Sequence, residues 1–337
     1  MAASVREGLL QAKLDALVSQ RWGPAVGAPV SFPGGAGLLA PDHGPAYVLV
    51  EDAGHRSLGG VVAWALRHQA TRIEVLAEAP VEVAAVLQRR ALPFAVPITI
   101  WRVEGRALIE SRPSGLPPTV ELPAEAARFA DVLRAAGAEP VVELGVLTGE
   151  VRGLEVARLV FDDSGCHLEA GVGSQDREAH RALFPDRSFE AQLAEVVAYV
   201  RERRTAGARA HVANTVGAER WLRSVLVDHP DLVGTAWLAP VPPTVRQTDL
   251  RLPAAALAAG VDNAGGPVLV AASVGIDLDL VPAAADGRVA DGRTGCRLIL
   301  AVGPADDHPR TRQLAAALTD AAEVIVVPGD WKGLSRS

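Results

Sequence analysis

The stretch ELGVLTGEVRGLEVARLVFDDSGCHLEAGVG, residues 143–173, carries the clearest local pattern in the chain. Apolar and polar residues alternate through Leu154–Phe161, turn-forming Asp162-Asp163-Ser164-Gly165 follows, and alternation resumes through Cys166–Gly173. That order predicts an antiparallel hairpin. Upstream, PVVELGV (Pro140–Val146) reads as a third strand, and Ala124–Ala136 places its apolar residues at helical spacing. Downstream, SFEAQLAEVVAYVRERR (Ser188–Arg204) offers Ser188 as an N-cap and sets Leu193, Val196, Val197 and Val200 on one helix face. The centre of the chain is therefore expected to be an αβββα region.

With acidic residues on two adjacent strands, residues 124–204 resemble the core of the PD-(D/E)xK nuclease superfamily. Glu155 falls at the first acidic position of that pattern and Glu169 at the second. The resemblance implies that both carboxylates, with Glu150 or Glu143 assisting, hold Mg²⁺, which suits oxygen ligands and activates water against a phosphodiester. It also implies that Arg158, Arg201, Arg203 and Arg204 meet backbone phosphates of a nucleic acid. The sequence departs from the pattern two residues after Glu169, where Gly171 stands in place of the family's lysine. The only lysines are Lys13 and Lys332, and an arginine such as Arg158 does not give up its proton. A non-cutting relative would keep the scaffold and lose the reaction. Alternating acids on a hairpin also arise simply as the solvated face of a half-buried sheet.

On either side of this centre, apolar runs alternate with helical segments. Before it come AYVLVE (Ala46–Glu51), a helix over Ser57–Ala70, RIEVLAE (Arg72–Glu78), a helix over Val81–Ala91, and ITIWRVEG (Ile98–Gly105). After it come VLVAASV (Val268–Val274), a helical stretch over Asp277–Ala290, CRLILAVG (Cys296–Gly303), a helix over His308–Asp320, and EVIVVPG (Glu323–Gly329). Strands alternating with helices imply mainly parallel sheets, so the expected class is α/β, with two Rossmann-like βαβαβ blocks flanking the αβββα region. The two blocks agree in pattern and spacing, which reads as an internal repeat. The expected divisions are 1–45 (an amphipathic helix with Leu9, Leu14 and Leu17 inward, then a connector), 46–110, 124–238 and 266–330. A further helix, 214–230, should turn Trp221 and Leu222 inward.

Strand ends in such sheets are where ligands bind. Asp52 and His55 follow the first strand of one block, and Asp277 and Asp279 follow the first strand of the other. They are the candidates for a small, nucleotide-like ligand in a regulatory module without catalysis, although aspartates at helix starts also serve as caps. The loop EDAGHRSLGG (51–60) is no dinucleotide fingerprint, and no GK[ST] follows PGGAG (33–37), which excludes a P-loop.

Composition sets the remaining bounds. A net charge of -7 argues against wholesale duplex binding, leaving the local cluster Arg201, Arg203, Arg204 and Arg209, which could equally complement a helix dipole. An aromatic content of 4% gives little material for stacking single strands. Cys166 and Cys296 form no metal or disulfide framework, and no apolar run reaches membrane-spanning length. The expectation is a cytoplasmic protein with no membrane partner, with nucleic acid or a small molecule as its ligand, and with apolar helix faces that could serve a homo-oligomer.

Overall fold

The computed structural model describes residues 2–24, 27–32, 34–118, 120, 122–123, 126–162, 165–173, 176–178, 187–207, 212–247 and 252–334. Asp163 and Ser164 of the expected turn, and Arg209, lie outside them. The fold is mixed α/β, with three open sheets among the described residues, and the chain divides into two compact units. The first contains residues 1–116, 278–286 and 308–322, and the second contains 117–277, 287–307 and 323–337. No helix of the described residues is long and apolar enough to cross a membrane.

The first unit opens with α1 (Ala2–Trp22) and builds a six-stranded sheet in chain order from β1 (Val30–Phe32), β2 (Gly35–Leu39), β3 (Pro45–Val50), β4 (Arg72–Ala77), β5 (Ile98–Glu104) and β6 (Ala107–Glu110). The β3–β4 and β4–β5 pairs are parallel and the others antiparallel. The crossovers are α2 (Leu58–Arg67) and α3 (Val81–Ala91). Leu14, Leu17 and Val18 of α1 pack on Ala36, Leu38, Tyr47, Leu49 and Leu76. Alternate residues Ala46, Val48 and Val50 are also buried, so β3 is covered on both faces. That two-sided burial is why AYVLV is continuously apolar. Leu9, expected inward, is 65% exposed; Val18 takes its place in the core.

In the second unit, α4 (Ala127–Ala135) leads into a meander of β7 (Glu139–Glu143), β8 (Val146–Val151), β9 (Leu154–Asp162) and β10 (Gly165–Ala170), followed by α5 (Phe189–Arg203). The meander has four strands where three were expected, because two-residue turns at Leu144-Gly145 and Arg152-Gly153 divide it. All four of those residues have positive φ, from 49° to 77°, as tight type I′ hairpins require. Ser188 caps α5 by accepting from the Ala191 N–H at 3.3 Å, and Leu193, Val196, Val197 and Val200 enter the core.

A short helix, α6 (Val212–Thr215), precedes α7 (Ala218–Asp228) and a second sheet in the same unit. Its strands are β11 (Thr235–Val241), β12 (Ala256–Asp262), β13 (Pro267–Ser273), β14 (Arg297–Val302) and β15 (Glu323–Val326), again in chain order. The first two pairings are antiparallel, and β13–β14 and β14–β15 are parallel. Trp221, Leu222, Val225 and Leu226 of α7 cover one face of this sheet. Between β13 and β14 runs α8 (Leu280–Asp291), and between β14 and β15 runs α9 (Pro309–Ala316).

Candidate functional site

The acidic pair singled out by the sequence does converge, but on guanidinium groups. Glu155 accepts from Arg158 Nε at 2.9 Å and Nη2 at 2.6 Å, and also from Arg177 Nη1. Arg177 Nε lies 3.7 Å from Glu169, whose other oxygen is 3.7 Å from His167 Nε2. Pairing of β9 with β10 sets Glu169 opposite Arg158, so strand register assembles the cluster. Arg177 thus stands where a shared cation would sit. Among the described residues no group of three or more His, Cys, Asp or Glu side chains could hold a metal ion.

The same packing explains Gly171. Its φ is +146°, and a Cβ there would come within 2.8 Å of the Arg177 backbone nitrogen. The approach of Arg177 that neutralises Glu155 leaves no room for a side chain at the position where the nuclease pattern has lysine.

Glu150 is 1% exposed and belongs to a different cluster. It accepts from Arg220 Nη1 and Arg223 Nη2, both at 2.8 Å, while Glu143 accepts from Arg220 Nη2 at 2.6 Å and Arg223 Nη1 at 2.8 Å. Two carboxylates and two guanidiniums therefore close a ring that joins β7 and β8 to α7. Burial alone would raise the Glu143 pKa, yet Arg223 and Arg220 hold it below its ordinary value. The ring depends on Gly153, where a Cβ would stand 2.2 Å from the Arg220 carbonyl carbon. Opposite Glu150 on β7 lies Glu139, whose pKa is pushed up to about 7 by burial and then by Glu150, against the opposing pull of Arg223.

Of the arginines expected to meet phosphate, Arg204 is 0% exposed. It donates to the carbonyls of Arg152 at 2.7 Å, Val216 at 2.8 Å and Gly217 at 2.7 Å, and to that of Ala213. Its guanidinium also lies 4.8 Å from the Trp221 ring centroid. This arginine fastens loop backbone and cannot reach a phosphate. Arg201 donates to Gly137 O at 2.9 Å, and Arg203 stacks on Tyr199 at 3.9 Å. Both complement the last turn of α5.

The strand-end candidates separate. Asp279 uses one oxygen to accept from the N–H groups of Leu58 at 3.1 Å and Gly59 at 3.0 Å, so it caps α2 from a distant part of the chain. Asp52 is exposed at φ 49°. The His55 carbonyl accepts from Arg90 at 2.7 Å, and burial, with Arg90 and Arg89 nearby, lowers the pKa of its ring. Asp277, 7% exposed, lies in the second unit. Sequence reasoning missed Asp286, which is fully buried and bound by Arg89 at 2.8 and 2.9 Å and by Arg90 at 3.4 Å. Its sequence signal was an aspartate directly after the apolar run Leu280–Ala285.

In the first unit, an open pocket of about 520 Å³ begins beyond the end of β3. Ser57, Gly60, Ala63, Trp64 and Arg67 of α2 and its approach form one wall, and Phe32, Glu51, Arg56, Asp279 and Arg310 are among the others. The lining therefore holds three arginines and two acids; Glu51 also accepts from Arg6 at 2.6 and 3.0 Å, and Asp279 caps α2. Phe32 and Trp64 meet edge to face, with centroids 6.2 Å apart. The pocket therefore combines excess positive charge with an aromatic wall. The chain matches no protein-family model, no curated protein and no solved structure.

Proposed function

We propose that this protein is a small-ligand-binding module that takes an anionic molecule carrying an apolar or planar part. The observation that carries the reading is the pocket beside α2, whose lining combines Arg56, Arg67 and Arg310 with the aromatic rings of Phe32 and Trp64. Its volume falls within the range of small-molecule sites, roughly 300–1,000 Å³. We read the two β–α–β–α–β runs as Rossmann-like halves of a duplicated unit, because both sheets show the same succession of antiparallel and parallel pairings. The pocket lies at a strand end of the first, the position such sheets offer to ligands.

The test uses 8-anilinonaphthalene-1-sulfonate, a planar aromatic anion, titrated into wild type and Gly60→Leu with fluorescence as the readout. An added Cβ at Gly60 would meet only Phe32, at 3.7 Å, so a leucine there extends into the pocket. Leucine also favours the helix over glycine. Saturable enhancement in wild type, lost in a Gly60→Leu protein that melts no earlier, supports the reading. Equal enhancement in both proteins, or none in wild type, overturns it.

A metal-dependent, nuclease-like role for Glu155 and Glu169 is the second reading. It is favoured by the convergence of both carboxylates on one cationic group. It requires Arg177 to yield its place to Mg²⁺. Divalent-metal-dependent cleavage of labelled DNA or RNA, abolished by Glu169→Ala, would raise it above the first.

A further inference from the structure

We propose that Lys332 is a site of covalent acylation, taking the acyl group of an acyl phosphate as a stable amide. The residues that surround it all belong to the second unit. The turn Trp331–Leu334 is fixed against α7: the Trp331 ring is buried and meets Trp221 edge to face with centroids 5.6 Å apart, and His229 Nε2 donates to Leu334 O at 2.8 Å. Lys332 Nζ lies 5.1 Å from the Trp221 ring centroid and 5.5 Å from that of Trp331, in an aromatic corner. The Arg204 guanidinium stands 4.8 Å from the same Trp221 ring. Among the described residues no carboxylate pairs with the Lys332 side chain.

An apolar surface and a second cation both disfavour a charged amine, and here no anion restores it, which is how a lysine becomes nucleophilic. The rings attract the ammonium and so position it. Burial and then Arg204 act the other way and lower the Lys332 pKa. The residue stays partly exposed, so a donor can reach it. In the reaction the neutral Nζ attacks the acyl carbon. A C–N bond forms as the C–O bond to phosphate breaks, phosphate leaves with the electron pair, and the proton on nitrogen passes to solvent. The amide is uncharged, which ends the repulsion from Arg204, whereas methylation would keep it. Lys13, the only other lysine, supplies the contrast: it is also partly exposed, but it is paired with Glu78.

The experiment incubates the folded wild-type protein with millimolar acetyl phosphate in mildly alkaline buffer and follows acetylation of each lysine over time by peptide mass spectrometry. Lys332 should react at least about threefold faster than Lys13. The same reaction in concentrated urea should erase that preference, because both side chains then stand in water. A smaller ratio in the folded protein, or a preference that survives in urea, overturns the proposal.

Discussion

Replacing Glu139 by glutamine should flatten the pH dependence of stability. Glu139 is partly buried on β7, with Glu150, Arg223 and Asp228 as its charged neighbours and Glu143 completing the adjacent ring. Its pKa rises from 4.5 to about 7 on folding. A carboxyl whose pKa is higher in the folded state binds more protons there than in the unfolded chain. Its contribution is greatest below the unfolded value and is lost as pH climbs through the folded one, here between about 4.5 and 7. At about 1.4 kcal/mol per tenfold change in proton affinity, the loss across that window is at most about 3 kcal/mol, and partial exposure reduces it. Glutamine keeps the shape and never ionises. Urea unfolding followed by circular dichroism, every half unit from pH 4.5 to 8, should show wild type weakening relative to Glu139→Gln by about 1–3 kcal/mol. Parallel curves for the two proteins would refute the assignment, since other titrating groups are common to both.

Arg177→Ala combined with Arg158→Ala should free Glu155 and Glu169 to share a divalent cation. Mn²⁺ at millimolar concentration would then raise the melting temperature of the double variant and leave wild type unmoved, with equal responses counting against these arginines as the resident cations. Arg204→Met should cost about 3–5 kcal/mol in unfolding free energy, because four carbonyl partners, two of them in buried hydrogen bonds, lose their donor; a cost under about 1 kcal/mol would mean that water replaces it. Gly153→Ala should destabilise by about 2 kcal/mol or more, since positive φ and the 2.2 Å approach to Arg220 act together, and a neutral result would show that α7 can move away.

Legibility from sequence followed burial pattern. The parallel strands β3, β13 and β14 could be read because both faces are buried, which makes their interiors continuously apolar, whereas β4 (RIEVLA) carries the buried Glu74 within its apolar run. The antiparallel strands β2 (GAGLL) and β12 (ALAAGVD) could not, since their glycines and alanines carry little strand propensity. Gly37 shows what that composition serves: a Cβ there would come within 2.6 Å of the Trp64 ring. β11 (TAWLAPV) was obscured by Pro240, which an edge strand tolerates.

For the charged clusters, sequence identified the acids and not their partners. Arg177, Arg220 and Arg223 are 22, 70 and 73 residues from Glu155 and Glu150, distances over which no periodicity operates. Asp279 was visible as a helix-start aspartate, but the helix it caps is α2, 221 residues away from the Leu58 N–H. Arg56 lies in the loop already noted for Asp52 and His55, while Arg67 and Arg310 come from α2 and α9 and reach the pocket only through tertiary packing.

Hydrogen–deuterium exchange with and without saturating anilinonaphthalene sulfonate tests whether the pocket beside α2 is the functional site. Exchange should slow in residues 51–67 and 308–313 and stay unchanged in 143–173. Protection confined to 143–173, or none anywhere, would contradict the pocket beside α2 as the functional site.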